Sequence, residues 1–362
     1  MTITLIQKRG LLSVFAIAAG IFAGITFFLT SCNKERVPET NPSSALIKVE
    51  NGYLVFKDRE HFDQVVAQTE NLNGDEIIDW VKQFAGSGYR SFGVAFEDAK
   101  ADLSEIVKSG DQTKLDAFRE KWRNKVLIGD EVDLEPMLWM HYYRCVLNEE
   151  GVVKIGDEIW KYTNDRSIRV KGDYAALKNA ETQPIGTQTE DVFIAPIYHL
   201  AVANYDLDNT EGITARGPEL TCGNKTNNNN NGSREVKGKV WITIENPIRT
   251  GSYPIYFYTL SCRVQHRCES KYKNWIGWHY ENSNLTVSGG GSLSGITSPI
   301  NGAPAFSINQ VRFDDDVTYS NYYGTAIYVS NCTCWASNFF DFVPSSVSEF
   351  FSTSVTSCTA SN

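Results

Sequence analysis

His141 and Cys145 stand four residues apart, a separation that shares one face of a helix, and a thiol beside an imidazole is the arrangement of an activated thiolate nucleophile. Their neighbours Tyr142, Tyr143, Val146 and Leu147 speak against that chemistry. An apolar setting raises a thiol's pKa and blunts it, so a buried structural Cys145 is expected. Cys262-x3-His266-x-Cys268 together with Cys332-x-Cys334 offers enough soft ligands for tetrahedral zinc, but the spacing fits no common finger. Asp314-Asp315-Asp316 offers clustered carboxylates of the kind hard cations take. Consecutive strand residues point to opposite faces, however, and the EF-hand Gly and distal Glu are missing, so a solvated loop at a strand end is expected. No GxSxG, HExxH, P-loop or GxGxxG occurs in a context that would give it work to do. Catalytic residues, metal and cofactor are accordingly all expected to be none.

Two other sets of residues carry chemistry of a different kind. Cys222, Cys262, Cys268, Cys332, Cys334 and Cys358 form an even set, which in an exported chain reads first as up to three disulfides whose connectivity the sequence leaves open. Trp275, Trp278, Tyr280, Tyr322, Tyr323 and Trp335 are candidates for a platform on which sugar rings stack. Aromatics at alternate strand positions more often face a core.

The chain has 362 residues and a formal net charge of -9, with 42% hydrophobic and 21% charged residues. That composition is globular and excludes a disordered chain or a polytopic membrane protein, and its acidity argues against a nucleic-acid partner. The charge is unevenly placed: +2 over residues 1 to 32, 0 over 237 to 362, and -11 between them. Such asymmetry suggests a boundary.

Lys8 and Arg9 precede an uncharged run from Leu11 to Thr30, which closes on Leu29-Thr30-Ser31-Cys32 before Lys34-Glu35-Arg36. The layout is that of a secretion signal, although a run this long could also span a bilayer uncleaved. Leu29-Thr30-Ser31-Cys32 resembles the lipobox of bacterial lipoproteins. The resemblance implies cleavage before Cys32 and acyl chains on that residue, which anchor stably when two or three are present. Asn33, where an Asp would signal inner-membrane retention, and Lys34-Glu35 resemble the signals of outer-membrane lipoproteins, on the periplasmic or the cell-surface side. Residues 32–44, rich in Pro and Ser, then make a lipidated spacer.

The elements that must position these residues fall into two styles. A hairpin is expected around Asn51-Gly52, and helices around Phe62, Val65 and Val66 after the cap Asp58, around Ile77 to Phe84, Val94 to Val107 and Leu115 to Trp122. Met137 to Leu147 reads as a central buried helix, followed by short strands from Val152 to Val170. From Val240 onward, some seven short alternating runs separated by Gly and Asn turns read as a sandwich or jelly roll. The expected fold class is α+β, a mainly helical N-terminal domain with short β-hairpins followed by an all-β sandwich-like C-terminal domain. The expected boundaries are a signal peptide over 1–31, the spacer over 32–44, the helical domain over 45–205, an Asn-rich linker over 206–234 and the β domain over 235–362. The segments NGYLVFKDREHFDQVV and LNEEGVVKIGDEIWKYT resemble the N-terminal part of uncharacterised Gram-negative lipoproteins built around domains of unknown function. The functional expectation is a membrane-anchored envelope lipoprotein acting as a non-enzymatic binding or adhesion module for a glycan or protein. The rivals are an envelope polysaccharide or peptidoglycan hydrolase, whose carboxylate pair need not form a motif, and a structural envelope protein.

Overall fold

The computed structural model describes residues 47–109, 111, 113–128, 134–200, 220–228, 232–252, 255–273, 278–295, 305–327 and 342–361. Cys32 and the whole signal and spacer, Trp275, Cys332, Cys334 and Trp335 lie outside them, as do the side chains of Cys262, Tyr322 and Tyr323. Leu46–Asn362 forms one compact unit. Among the described residues no helix is long and apolar enough to cross a membrane.

The arrangement is α+β and has three layers. The first begins with the hairpin of β1 (Lys48–Glu50) and β2 (Tyr53–Phe56), turned by Asn51 at φ 48° and Gly52 at φ 77°, as the Asn-Gly pair predicts. Asp58 caps α1 (Arg59–Thr69) by accepting from the His61 N–H, and Phe62 packs edge-on against Phe56 with ring centroids 5.2 Å apart. Then follow α2 (Asp75–Val81), α3 (Phe92–Ser109) and α4 (Thr113–Trp122), each with its apolar stripe buried. A two-stranded hairpin, β3 (Val126–Ile128) with β4 (Leu134–Pro136), comes next. The chain returns through β5 (Val152–Ile155), β6 (Glu158–Tyr162), β7 (Arg166–Lys171), α5 (Tyr174–Ala180) and β8 (Val192–Pro196). These strands join the opening hairpin in one six-stranded sheet, β1-β2-β5-β6-β7-β8, with β2 and β5 parallel. The first layer is therefore less helical than expected. Runs of four to six residues that read locally as separate hairpins are gathered into one sheet by a pairing of residues about a hundred apart, which no local pattern shows.

Met137 to Leu147 is not an α-helix. It is an irregular buried segment with one 3-10 turn, His141–Tyr143. A continuous apolar run has no periodicity to separate helix from buried coil. Its backbone polar groups are satisfied by side chains instead: Gln265 donates to Trp139 O (3.0 Å) and accepts from His141 N (3.1 Å), and Asn164 accepts from Trp139 N (2.9 Å).

The second layer is built on β10 (Leu220–Asn228), β11 (Gly232–Ser252), β12 (Ile255–Lys273) and β13 (Trp278–Tyr280). In addition, β9 (Tyr198–Leu200) pairs with β11 and β16 (Asp316–Ile327) pairs with β12. The expected linker is thus partly sheet: Asn227 and Asn228 end β10, in register with Ser233 and Gly232 of β11. The third layer is β15-β14-β17-β18, made of β14 (Ser283–Gly295), β15 (Ala305–Asp314), β17 (Phe342–Ser352) and β18 (Ser357–Ser361). The second and third layers pack face to face: a Cβ on Gly238 of β11 would collide with the Phe351 ring of β17. Cys222 of β10 is bonded to Cys358 of β18, with Cα atoms 5.8 Å apart.

Candidate functional site

β12 lies in the middle layer, and from Arg263 to Lys271 it is buried on both faces. Val264, His266 and Cys268 turn toward the third layer, while Arg263, Gln265, Arg267, Glu269 and Lys271 turn toward the first. Burying that many charges costs several kcal/mol each unless they are paired, so partners must come from the facing layer. They do. Arg267 holds Asp316 through both carboxylate oxygens (Nε to Oδ1 2.8 Å, Nη2 to Oδ2 3.0 Å) and reaches Glu135 of β4 at 2.6 Å. Arg263 pairs with Glu70 beyond α1, and Lys239 with Glu135. Glu269 touches Arg267 (2.8 Å) and Lys271 (2.5 Å) as charge contacts without hydrogen-bond alignment. Burial alone would lift Glu269 and Glu135, but Arg267, with Lys271 and Lys239, holds both below the usual carboxylate range.

The Asp triplet belongs to this seam and is not a solvated loop. Asp314 pairs with Arg312 (3.0 Å), Asp315 accepts from Lys100 of α3 (2.6 Å), and Asp316 is the Arg267 partner. The turn between β15 and β16 docks on α3, which converts three consecutive carboxylates into acceptors for three separate cations. Lys100 also meets Glu97 at 2.7 Å, one helical turn before it. Burial opposes the Lys100 charge, yet Glu97 and Asp315 hold its pKa above the ordinary lysine value. Burial pushes the Glu97 carboxyl up to about 7, against Lys100, with the Asp315 charge adding to the rise.

Glu97, Asp316, Arg144 and His141 line a cavity of about 10 Å³, closed by Phe92, Phe96, Ile77 and Pro136. That is room for about one water. His141 donates to or accepts from Thr318 Oγ1 through Nδ1 (3.2 Å), while its buried Nε2 has no hydrogen-bond partner among the described residues. Burial, then the Arg267 and Arg144 charges, depress the His141 pKa well below its usual value, so the ring is neutral. Cys145 is fully buried, and its thiol is pushed up to about 12 by that burial, the inert thiol its apolar neighbours predict. His141 and Cys145 share no active arrangement.

Of the six cysteines read as disulfide candidates, Cys222 and Cys358 are bonded. Cys268, expected in a disulfide, is instead a free, buried thiol whose Sγ lies 4.0 Å from Ser352 O, and burial raises its pKa. It faces the third layer beside His266, where among the described residues a carbonyl and not a second sulfur is its partner. His266 is fully buried, and its Nδ1 meets both Glu349 oxygens (2.8 and 2.9 Å) across the two sheets. Among the described residues no group of three metal-ligating side chains converges. Of the stacking candidates, Trp278 is buried under Lys225 and Lys273, and Tyr280 is half-buried against Phe96 and Lys100, donating to Leu134 O (2.8 Å). Neither stands on an exposed row.

The exposed row lies elsewhere. On the outer face of the third layer, Phe313 stands beside Asn284; Val311 beside Thr286, Ser352 and Ser357; Asn309 beside Ser288, Phe350 and Thr359; and Ser307 beside Gly290, Ser348 and Ser361. None of these residues is ionisable. Val311 and Phe313 are each 67% exposed and Phe350 is 42% exposed. The sheet's inner face already supplies its core through Leu285, Val287, Phe306, Ile308 and Phe351.

No protein-family model matches the chain, and no curated protein matches it. Among solved structures the chain is similar to the crystal structure of a DUF4848 family protein from Bacteroides thetaiotaomicron, with 11% identity, 87% of this chain and 98% of that chain covered, and a TM-score of 0.29. A likeness at that score carries no argument about what the protein does.

The seam residues Glu97, Lys100 and Glu135 were invisible as a site in the sequence, where Glu97 and Lys100 look like an ordinary surface i,i+3 pair. The outer row had a signal: Val311-Arg312-Phe313 alternates, but it reads equally as a strand facing a core.

Proposed function

We propose that the chain is a lipid-anchored envelope protein of a Gram-negative cell, held at the outer membrane by acyl chains on Cys32. Its folded part is a non-enzymatic binding or adhesion module for a glycan or protein, a β-sandwich-like part seated on the mixed helical layer. The observation that supports this most is the layer order. The first described strand, β1, which follows the tether, belongs to the first layer, and the uncharged outer row belongs to the third, with the ion-paired second layer locking the two together. Such a body holds the outer row on the layer opposite the one that β1 enters. The charged groups of the seam serve this locking.

The hydrolase reading has one observation in its favour, a carboxyl raised to about 7 beside a second acid, Asp316, on a shared cavity. The cavity admits about one water and no sugar. Incubating the purified full chain with peptidoglycan and with envelope polysaccharides separates the readings: co-sedimentation without new reducing ends is expected. Release of reducing ends that disappears in Glu97→Gln would install the hydrolase instead, and neither retention nor release would leave a structural protein.

A further inference from the structure

We infer that the outer face of β15-β14-β17-β18 binds an uncharged glycan chain laid across the sheet between Phe313 and Phe350. The inference rests on the binding-module reading above and assigns its surface and ligand class.

Three features of the face lead there. Phe313, Val311 and Phe350 leave apolar surface in water although the core beneath them is complete without them, and exposed apolar groups gathered on one face mark an interaction surface. Around them the side chains are hydroxyls and amides, Asn284, Asn309 and Thr359 among them, which both donate and accept hydrogen bonds. A ligand bearing carboxylates or sulfates would give up hydration here and meet no counter-charge. A neutral polyol loses nothing of that kind. Its C–H faces stack on the rings while its hydroxyls pair with the Ser, Thr and Asn field, the division of labour between apolar anchors and placed polar groups that binding sites use.

Spacing favours a chain over a single sugar. Phe313 and Phe350 lie two strands apart and two outward positions apart along the sheet. At ordinary strand spacing and rise the two rings are separated by about 16 Å, too far for one ring to reach both. The surface is also stiff. Directly under it the buried His266–Glu349 pair holds β17, and the Cys222–Cys358 bond holds β18, so little ordering entropy opposes binding.

The test uses the full chain against immobilised neutral oligosaccharides (glucan, mannan and galactan chains) and against uronic-acid and sulfated chains of the same length. Wild type should retain neutral chains and ignore charged ones. Phe313→Ser and Phe350→Ser should each weaken retention by about tenfold, and together abolish it, with Tm unchanged. Ile185→Ser, an exposed apolar residue of the first layer, should bind as wild type. A double variant that binds neutral chains as tightly as wild type would overturn the inference and leave the binding module standing. Preference for charged chains would overturn it as well. If no chain of any class is held, the inference and the glycan form of the functional reading fall together. If the double change instead turns a dimer into monomers without any glycan retention, the face is a contact between copies and the inference is overturned.

Discussion

Burial lifts the Glu97 carboxyl from 4.5 to about 7, so between those values the folded chain still holds a proton that the unfolded chain has released. A state that binds more protons loses stability as pH rises, so this carboxyl favours the fold below its unfolded pKa and progressively less as pH climbs toward 7. Asp315 is raised in the same direction, chiefly by burial against Lys100, and adds to the slope. Glu97→Gln should therefore make the change of urea midpoint with pH less negative between about pH 5 and pH 8, while Asp315 and the opposite-signed contribution of the depressed His141 stay common to both chains. Equal slopes for wild type and variant would show that Glu97 titrates normally. At this scale the sequence is readable where a residue's neighbours decide its state: Cys145 is an inert thiol because Tyr143, Val146 and Leu147 are apolar. It is unreadable where the deciding partner is remote, as for Lys100, whose acceptor Asp315 lies 215 residues away.

β12 shows why elements were only half legible. Its 19 residues carry Arg263, Arg267, Glu269 and Lys271 on one face, so the pattern reads as polar loop between two short apolar strands, at 255 to 258 and 272 onward. The face is charged because it is matched to Glu70, Glu135 and Asp316, not because it meets water. The Asn run misleads in a similar way. Asn227 and Asn228 have poor strand propensity, but Cys222 in the same strand is bonded to β18, and the pairing with β11 runs from Leu220 to Asn228. That bond closes a separation of 136 residues. Replacing Cys222 and Cys358 by Ser should lower unfolding free energy by about 2 to 5 kcal/mol in guanidinium titrations of the oxidised chain. Identical midpoints for wild type and variant would mean the bond contributes nothing to the fold. By contrast the Asn51-Gly52 hairpin and the Asp58 cap were legible because turn and cap chemistry is local.

The whole molecule reinterprets the charge asymmetry. A charge of -11 over residues 33 to 236 and a balance of 0 from residue 237 onward reads as two domains with separate surfaces. The fold instead turns part of that asymmetry inward, with acids from the first layer seated on arginines and lysines of the second, so that Leu46–Asn362 behaves as one unit. What is left for a ligand is a third layer with an uncharged outer row, joined through the others to the tether proposed at Cys32. The most direct measurement of that account is fatty-acid labelling and polysaccharide retention in membranes from cells producing the full chain, compared with Cys32→Ala. The wild-type chain should carry label, sediment with membrane and hold neutral polysaccharide there intact, whereas Cys32→Ala should lose the label and leave both chain and polysaccharide in the soluble fraction. A Cys32→Ala chain that stays labelled and membrane-bound, or a wild-type chain that degrades the polysaccharide it meets, would contradict the account.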